Sequence, residues 1–352
     1  MNRLAIYKGL ETLFLYDKKL FKEGNMVYSK IISTGAYVPQ RIVNNDELLK
    51  LVETSDEWII SRTGIKQRRI SIGEKTYQIA AKAATEAIKN AGIDKKEIDM
   101  IILATITPDF FMPSTANLVQ AELGLDDIPS FDIAAGCTGF IYGLQVADQF
   151  IRSKESKTIL VIGAEVLSKV VDWSDRNTCV LFGDGAGAVV LKSSNQEGII
   201  CTYTGSQGDL QESLTLPAVP LKNPFLHVQN NNGKPSNISM CGKEVFQFAV
   251  RIMTKSISQI LNKSNLSMDD IDYIIPHQAN IRIIDHVARE LKIKREKFII
   301  NLDHFGNTSS ASIPLALDEA HKKKIFSPGN RVIMVAFGGG LTWGAALSNW
   351  TI

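Results

Sequence analysis

Two hydrophobic patterns alternate along the chain. In Tyr77–Ala91 the apolar residues recur at helical spacing, and Gly92 follows as a stop signal. The next segment, Met100–Thr105, is apolar at nearly every position, which is typical of a buried strand. The alternation continues with predicted helices at 140–151 and 245–261 and predicted strands at 158–163, 188–191 and 273–275.

The chain also repeats itself. Ile98–Ile102 (IDMII) returns in the second half as Ile271–Ile275 (IDYII), and the strand-like segment 157–163 has a counterpart in 331–338. Two matches at nearly one offset predict two related halves, residues 27–193 and 194–352. Because continuously apolar strands alternate with helices, we expect mostly parallel sheets covered on both faces. This is a layered α/β fold, with the active site near the carboxyl ends of strands.

Residues 1–26 differ from the rest of the chain. They mix apolar and charged residues and lack the charged, apolar and small-residue regions of a secretory signal. A strand-like run begins at Met26. We interpret residues 1–26 as an N-terminal extension or leader, with Met26 as the natural start. A genuine extension that packs on the surface is the alternative.

The composition excludes several classes of protein. Of 352 residues 45% are hydrophobic, and 39 basic against 37 acidic residues give a net charge of +2, so no general attraction to nucleic acid or anionic membrane is expected. No apolar run reaches the roughly 18 residues of a membrane span. The four cysteines form no C-x-x-C pair and are too sparse for a disulfide scaffold. A cytoplasmic protein without a metal site is predicted.

Cys137 is the first candidate for chemistry. It stands among small residues in AAGCTGF, directly before the helical pattern that begins at Phe140. A helix N-terminus favours an anion and lowers the pKa of a thiol, and small neighbours let a substrate approach closely. A buried, inert cysteine is the alternative interpretation.

Two further candidates follow predicted strands or begin predicted helices. His277, in PHQAN, comes directly after a buried strand, and Asn307, in FGNTSSA, opens a helix. By the offset that relates Ile98 to Ile271, Asn307 maps close to Cys137 in the other half, so both side chains should face one cleft. A structural histidine and a helix-capping asparagine are the alternatives.

Two glycine-rich segments remain. The run FGGGLTWG at 337–344 follows the last long predicted strand and leaves backbone N–H groups accessible to a ligand oxygen. The segment FGDGAG at 182–187 leads into a strand and has a misplaced third glycine, so we reject a dinucleotide site there. We interpret it as a tight backbone crossing.

Together, a series of motifs resembles the β-ketoacyl-acyl-carrier-protein synthase III family of the thiolase-like superfamily, in the order that the family has them. The resemblance covers residues 27–352. It is carried by SDEWI at 55–59, RTGI at 62–65, the Cys137 and Asp184 segments, MCGKEVF at 240–246, PHQAN at 276–280, GNTS at 306–309 and the final glycine run.

This resemblance implies a duplicated five-layer α-β-α-β-α architecture and a homodimeric acyltransferase that initiates fatty acid biosynthesis. It implies a catalytic triad of Cys137, His277 and Asn307, with the amides of Cys137 and Gly339 as the oxyanion hole. Acyl-CoA, in particular acetyl-CoA, would acylate the cysteine, and malonyl-acyl-carrier protein would then lose carbon dioxide and condense with it. The reaction needs no metal and no other cofactor.

The resemblance also assigns substrate contacts. Those implied for CoA and its pantetheine arm are Trp58, Arg62, Met240, Gly242, Phe246 and Asn280. Arg282 and Arg289 would meet the acidic carrier protein, although Gln247 stands where relatives are often basic, and Lys243 could compensate. Met112 and Phe337 would line the acyl pocket, with Met112 on a loop that reaches across the dimer.

Three other functions stay open on the sequence. A same-fold specialised ketosynthase or acyltransferase of secondary metabolism would share the motifs. A cysteine hydrolase also uses Cys, His and Asn, but GCTG lacks the C-G-[SA]-C-[WY] signature of the papain class. A binding homologue without catalysis would not need all three polar residues.

Overall fold

The computed structural model describes residues 27–209, 212–219 and 237–352. In chain order the strands are β1 (Tyr28–Tyr37), β2 (Ile42–Asn44), β3 (Gln67–Arg69), β4 (Met100–Ala104), β5 (Ser130–Ile133), β6 (Thr158–Glu165), β7 (Gly185–Ser194), β8 (Ile199–Ser206), β9 (Leu214–Thr215), β10 (Ser239–Met240), β11 (Tyr273–Pro276), β12 (Arg331–Gly338) and β13 (Thr342–Asn349). The α-helices are α1 (Asn45–Leu48), α2 (Asp56–Thr63), α3 (Thr76–Ala91), α4 (Thr115–Leu123), α5 (Gly139–Arg152), α6 (Arg176–Cys179), α7 (Gly242–Ser264), α8 (Ile281–Glu290), α9 (Leu302–Phe305) and α10 (Ser312–Lys322).

Two large sheets and three helical layers form the fold, and β2 with β3 and β9 with β10 form two small sheets beside them. The first sheet has the order β1-β7-β6-β4-β5 and the second β11-β12-β13-β8. Helices α5 and α10 lie between them, because their apolar side chains share one core with strands of both sheets. Helices α3 and α4 cover the outer face of the first sheet, and α7 and α8 cover that of the second. The predicted five-layer α/β architecture is therefore confirmed.

The expectation of mostly parallel sheets is wrong. β4 pairs in parallel with β5 and β6, and β11 with β12, but β7 runs antiparallel to both β1 and β6. β13 is likewise antiparallel to β12 and β8. The short turn between β12 and β13 explains why these two strands are antiparallel, because only antiparallel strands can be joined by a hairpin. Apolar composition reports burial on both faces and does not report strand direction.

Local sequence sets the ends of the predicted helices. In α3 the alanine-rich stripe is fully buried, and the helix ends at Gly92, which adopts a left-handed conformation with φ of 65°. α2 was not predicted from the hydrophobic pattern; its N-cap is Ser55, whose side chain accepts a hydrogen bond from the Trp58 amide. The buried stripe and the glycine stop explain why the hydrophobic pattern located α3 correctly.

The repeated segments occupy equivalent places in the two sheets. The first pair becomes β4 and β11, and the second becomes β6 and β12. The helices between the sheets also correspond, because a 3₁₀ turn, Gly136–Thr138, precedes α5 and another, Ser309–Ala311, precedes α10. The chain thus enters its two central helices in the same way in both halves.

Two points concern the ends and surface of the chain. The N-terminal extension or leader inferred for residues 1–26 lies outside the described residues. Within the described ranges, no helix has both the length and the apolar character needed to cross a bilayer.

Gly163 is a position where the fold tolerates no side chain. A Cβ on this β6 residue would lie 2.2 Å from the carbonyl oxygen of Ser310, which belongs to the turn before α10. We expect Gly163→Ala to lower the free energy of unfolding by about 1–3 kcal/mol, because strand or turn must shift. Chemical denaturation measures this. Gly208→Ala is the matched control: it faces open space and should change stability by less than about 0.5 kcal/mol. Equal stability of the two variants would contradict the packing argument.

Candidate active site

Cys137 lies at a close backbone contact between the two halves. It is 9% exposed and sits in the 3₁₀ turn that leads into α5, as its sequence context predicts. A Cβ on Gly338 would lie 2.7 Å from the Cys137 amide nitrogen, and one on Gly136 would lie 3.2 Å from that of Gly339. A side chain at Gly338 or Gly136 would push the two turns apart. Because both residues are glycine, the backbone amides of Cys137 and Gly339 lie close together.

The thiol does not have the lowered pKa that the helix N-terminus predicts. Burial raises the pKa of Cys137 to about 12, against a hydrogen bond with Ser309 that lowers it, while the negative charge of Glu165 raises it further. Desolvation of an anion therefore outweighs the favourable helix terminus. The predicted location of the cysteine is correct, and the predicted direction of its pKa shift is wrong.

His277 is held from three sides. Its amide donates to the Val335 carbonyl at 2.8 Å, its Nδ1 lies 2.7 Å from the Ser312 hydroxyl oxygen, and the Phe337 ring packs edge-on at 5.5 Å between centroids. The side chain is buried, and this burial lowers its pKa to about 3, so the imidazole is neutral at physiological pH. Since Ser312 occupies Nδ1, Nε2 is the nitrogen left for a ligand.

Asn307 has a fixed carboxamide. Its backbone pairs with Leu181 and Gly183 at 2.9 and 3.0 Å, which ties the turn before α10 to the segment before β7. Its Oδ1 accepts a hydrogen bond of 2.9 Å from the Ser309 amide. With the oxygen engaged in this way, Nδ2 is the carboxamide atom left to donate to a ligand.

Cys137, His277 and Asn307 line one cavity of about 770 Å³. Arg282 and Phe337 also line it. The same walls carry all six residues that the resemblance assigns to CoA: Trp58, Arg62, Met240, Gly242, Phe246 and Asn280. Gln247 and Lys243 lie there too. Residues from both halves therefore meet at one site.

Some of these residues have contacts that the sequence did not indicate. Asn280 caps α8 by accepting from the Arg282 amide at 2.9 Å, and its Nδ2 donates to the Arg62 carbonyl at 3.0 Å, which joins α8 to α2. Arg176, not singled out by sequence, has its guanidinium 4.9 Å from the centre of the Trp58 ring. The sequence does not reveal this contact between a cation and a half-buried tryptophan, because Trp58 and Arg176 are far apart in the chain and meet only in the fold.

Of the remaining predicted residues, Arg289 and Met112 do not line this cavity, whereas Phe337 does. Arg289 lines a separate groove of about 700 Å³ along α8, which Arg282 also borders. Met112 is 88% exposed in the single chain, next to exposed Phe110 and Phe111. Phe337, predicted for the acyl pocket, packs against His277 on the wall of the first cavity.

A second cavity opens on the other side of Cys137. Its volume is about 660 Å³, and its walls are largely apolar, with Phe110, Phe111, Leu167, Leu214, Leu216 and Ile238 among them. Cys137 borders both cavities, whereas His277 and Asn307 border only the first. The thiol therefore borders both the cavity that holds His277 and Asn307 and the apolar chamber.

Three residues around the site were missed by sequence reasoning. Ser312 orients His277, Ser309 contacts both Asn307 and Cys137, and Glu165 is buried beside them at the end of β6. A charged residue at the carboxyl end of an apolar strand is a signal that could have identified Glu165. The two serines carry no comparable signal, because serine is common at helix starts.

Comparison with known proteins agrees with these features. Residues 131–208 match the family model for 3-oxoacyl-[acyl-carrier-protein] synthase III, and residues 261–350 match that for its C-terminal part. The β-ketoacyl-[acyl-carrier-protein] synthase III of Clostridium acetobutylicum is 52% identical over 92% of this chain and 98% of its own length; that of Clostridium tetani is 50% identical over 91% and 98%.

Solved structures give the same result. The synthase III from Aquifex aeolicus superposes with a TM-score of 0.85 at 47% identity, covering 92% of this chain and all of that one. The priming β-ketosynthase of the R1128 polyketide pathway reaches 0.84 at 32% identity, covering 92% and 97%. Taken with the half-to-half cleft that holds Cys137, His277 and Asn307, these likenesses assign the chain to the 3-oxoacyl-[acyl-carrier-protein] synthase III family.

Proposed function

We propose that this chain initiates fatty acid biosynthesis by condensing a short acyl-CoA, in particular acetyl-CoA, with malonyl-acyl-carrier protein to form 3-oxoacyl-acyl-carrier protein. One observation carries the proposal: a buried thiol, a neutral imidazole and an oriented carboxamide open onto one cavity. An acyl group on Cys137 has an apolar chamber behind it and two hydrogen-bond donors in front of it.

The first step is transfer of the acyl group to Cys137. The sulfur attacks the thioester carbonyl of acyl-CoA, and the amides of Cys137 and Gly339 donate to the developing oxyanion. The carbon–sulfur bond to CoA then breaks, and the proton that leaves Cys137 ends on the departing CoA sulfur. Proximity of the two amides across the glycine contact supports this assignment.

The second step is decarboxylation of malonyl-acyl-carrier protein. Carbon dioxide leaves, and the electron pair moves onto the thioester oxygen as an enolate. When the Ser312 hydroxyl donates to Nδ1 of neutral His277, the ring proton is on Nε2, so Nε2 and Asn307 Nδ2 are both donors to that oxygen. The enolate carbon attacks the carbonyl of acyl-Cys137, a carbon–carbon bond forms, the bond from that carbonyl to the sulfur breaks, and the thiolate takes a proton from solvent.

The cavity walls suit a CoA or phosphopantetheine arm. The Trp58 ring and the Arg176 guanidinium would hold the adenine by stacking, and Arg62 would pair with phosphate. Met240 and Gly242 flank the path of the pantetheine. No metal and no further cofactor enters either step.

A carrier protein would dock along α8. The groove beside this helix is lined by four cationic side chains, Arg282, Arg289, Lys292 and Arg295, against one carboxylate, that of Asp285. An acidic partner fits such a surface. Arg282 borders both this groove and the first cavity, so a carrier bound here would have its arm at the entrance.

The apolar chamber would hold the primer. Its rim includes Phe110 and Phe111, next to Met112, and the three side chains are 49%, 78% and 88% exposed in the single chain. Exposed apolar residues in a row are typical of an interface. We therefore propose a homodimer in which this loop reaches the partner's chamber, with Met112 limiting the primer. Free thiols at all four cysteines suit a cytoplasmic enzyme.

A specialised ketosynthase or acyltransferase is the alternative. Identities of 52% and 50% to β-ketoacyl-[acyl-carrier-protein] synthases III, over more than nine-tenths of the chain, favour fatty acid initiation. A hydrolase would release free acid without carbon dioxide. The product formed from acetyl-CoA and malonyl-acyl-carrier protein distinguishes these functions.

Replacing the nucleophile should separate the two half-reactions. We expect Cys137→Ala to abolish acylation, because no sulfur is left to attack, and to retain decarboxylation of malonyl-acyl-carrier protein. Intact-mass spectrometry after incubation with a panel of short acyl-CoAs measures acylation, and carbon dioxide release measures the second step. Condensation at the wild-type rate in this variant would refute the role of Cys137.

Removing either enolate donor should give the reverse pattern. We expect His277→Ala and Asn307→Ala to retain acylation of Cys137 and to lower decarboxylation by about 10²–10³, since one donor to an oxyanion stabilises the transition state by about 3–4 kcal/mol. Single-turnover assays of each half-reaction distinguish the steps, with thermal unfolding as the control for folding. Loss of acylation in both variants would contradict this division.

Reversing a charge on the groove should affect only the carrier-dependent step. We expect Arg289→Glu to raise KM for malonyl-acyl-carrier protein about tenfold, or about 1.4 kcal/mol. Acylation by acyl-CoA should be unchanged, because Arg289 does not line the first cavity. Lys96→Glu, an exposed charge reversal on another element, is the control. Equal effects of the two changes would exclude docking at α8.

A further inference from the structure

Two threonine hydroxyls lie between the turn that carries Cys137 and the glycine run after β12. Thr138 follows Cys137 in the 3₁₀ turn and is buried, and Thr342 opens β13 on the wall of the apolar chamber. Their Oγ1 atoms lie 2.9 Å apart, although 204 positions separate the two residues in the chain. The proposed reaction gives neither hydroxyl a role.

Each hydroxyl also contacts a backbone carbonyl at this junction. Thr138 Oγ1 lies 2.6 Å from Ala135 O, and Thr342 Oγ1 lies 3.2 Å from the same oxygen. Thr342 Oγ1 is also 3.1 Å from Gly339 O. A pair of hydroxyl groups therefore joins two carbonyls, one from each half of the chain.

A count of the protons gives the direction of these bonds. Each threonine hydroxyl has one proton to donate, and a carbonyl oxygen can only accept. The Thr138 amide donates to Ala135 O at 3.2 Å, which leaves the hydroxyl of Thr138 free to donate to Thr342 Oγ1. The Thr342 hydroxyl then donates to Gly339 O. These bonds form a relay that runs from the turn beside Cys137 to Gly339.

The relay holds the backbone on both sides of the proposed oxyanion hole. Ala135 O belongs to the peptide unit next to the one that carries the Cys137 amide, and Gly339 O to the unit next to the one that carries the Gly339 amide. Both turns contain glycine, whose backbone is free unless other contacts restrain it. A misplacement of about 1 Å can lower an enzymatic rate by about 10², so such a restraint matters for the rate.

We infer that Thr342, together with Thr138, positions the Gly339 amide relative to the Cys137 amide and so controls the rate of acyl transfer to the sulfur. Thr342 is a positioning residue, because its hydroxyl acts through the Gly339 backbone. The inference rests on the proposed function, in particular on acylation of Cys137 with these two amides as the oxyanion hole. It adds the side chains that hold the two amides in register.

The test is the single-turnover rate of Cys137 acylation by acetyl-CoA. Thr342→Val replaces the hydroxyl by a methyl group and keeps a β-branched residue in the strand. We expect acylation at saturating acetyl-CoA to be about 10–10²-fold slower, somewhat less than the loss of a whole oxyanion donor causes. KM for acetyl-CoA should be unchanged, because Thr342 lines the apolar chamber and does not line the cavity proposed for CoA.

Two other reactions distinguish positioning from a general structural effect. Alkylation of Cys137 by iodoacetamide displaces iodide from a saturated carbon and forms no oxyanion, so its rate should equal that of wild type. Release of carbon dioxide from malonyl-acyl-carrier protein, which is proposed to depend on His277 and Asn307, should also be unchanged. Peptide mapping separates Cys137 from the exposed Cys241. A parallel loss of all three rates would indicate a merely structural role and overturn the inference.

Three further variants are matched to Thr342→Val. Thr342→Ser restores the hydroxyl and should recover the acylation rate. Thr138→Val should slow acylation, and the double variant should be no slower than Thr342→Val alone, because both changes break one relay. Thr204→Val removes a bond of 2.6 Å to Gln145 from the neighbouring strand β8 and should leave acylation unchanged.

The comparison among these variants decides the inference. Equal acylation rates in wild type and Thr342→Val would refute it, and so would equally slow rates in Thr342→Ser and Thr342→Val. If Thr342→Val does not fold, Thr138→Val against Thr204→Val decides, and equal acylation rates in those two variants would refute it.

A second acyl donor separates the inference from the proposed function. p-Nitrophenyl acetate transfers its acetyl group to the Cys137 sulfur, p-nitrophenol leaves with the thiol proton, and no CoA site is needed. If this ester acylates Thr342→Val more slowly than wild type while acetyl-CoA acylates neither, the proposed function is wrong and the positioning role of Thr342 stands. If neither donor acylates wild-type Cys137, both are wrong.

Discussion

The structure depends on one close approach of backbone to backbone. The turn that carries Cys137 meets the end of β12 at Gly338, with room for no Cβ between them. This contact joins the helix layer of the first half to the sheet of the second. It aligns two amides beside the sulfur, and it brings a thiol from one half into the same cavity as an imidazole and a carboxamide from the other. Any side chain at Gly338 would separate all of these groups.

The duplication explains why a carboxylate lies beside this contact. At the offset that relates the two halves, Cys137 corresponds to Ser310 and Gly338 corresponds to Glu165. The approach of Cys137 to Gly338 therefore has a counterpart in the contact of Ser310 with Glu165. One of the two equivalent junctions has glycine backbone and holds the thiol. The other is filled by the Glu165 side chain and by the hydroxyl groups of Ser309 and Ser310 that bond to it.

The sequence pattern predicted that Cys137, His277 and Asn307 share one site for a physical reason, whereas the residues around them in the cavity came from the family resemblance. Cys137, His277 and Asn307 each stand at a junction of strand or helix that hydrophobic periodicity marks, and equivalent junctions of two halves must face each other. Strand direction was mispredicted because burial leaves the same apolar pattern in parallel and antiparallel strands. Glu165 and Ser309 were missed because their meaning depends on contacts between segments far apart in sequence, such as Thr107 with Glu165 and Glu165 with Ser309.

The state of the thiol is decided by competing magnitudes. A charge at a helix N-terminus is stabilised by about 0.3–1 kcal/mol, and by up to about 2 kcal/mol when partly buried. A rise in the Cys137 pKa from its ordinary 9.0 to about 12 corresponds to about 4 kcal/mol against the thiolate. The start of α5 therefore cannot ionise the sulfur by itself. The Cys137 amide in that turn and the Gly339 amide beside it are donors whose proposed role is to stabilise a thioester oxygen as it gains charge, and this role needs no ionised thiol at rest.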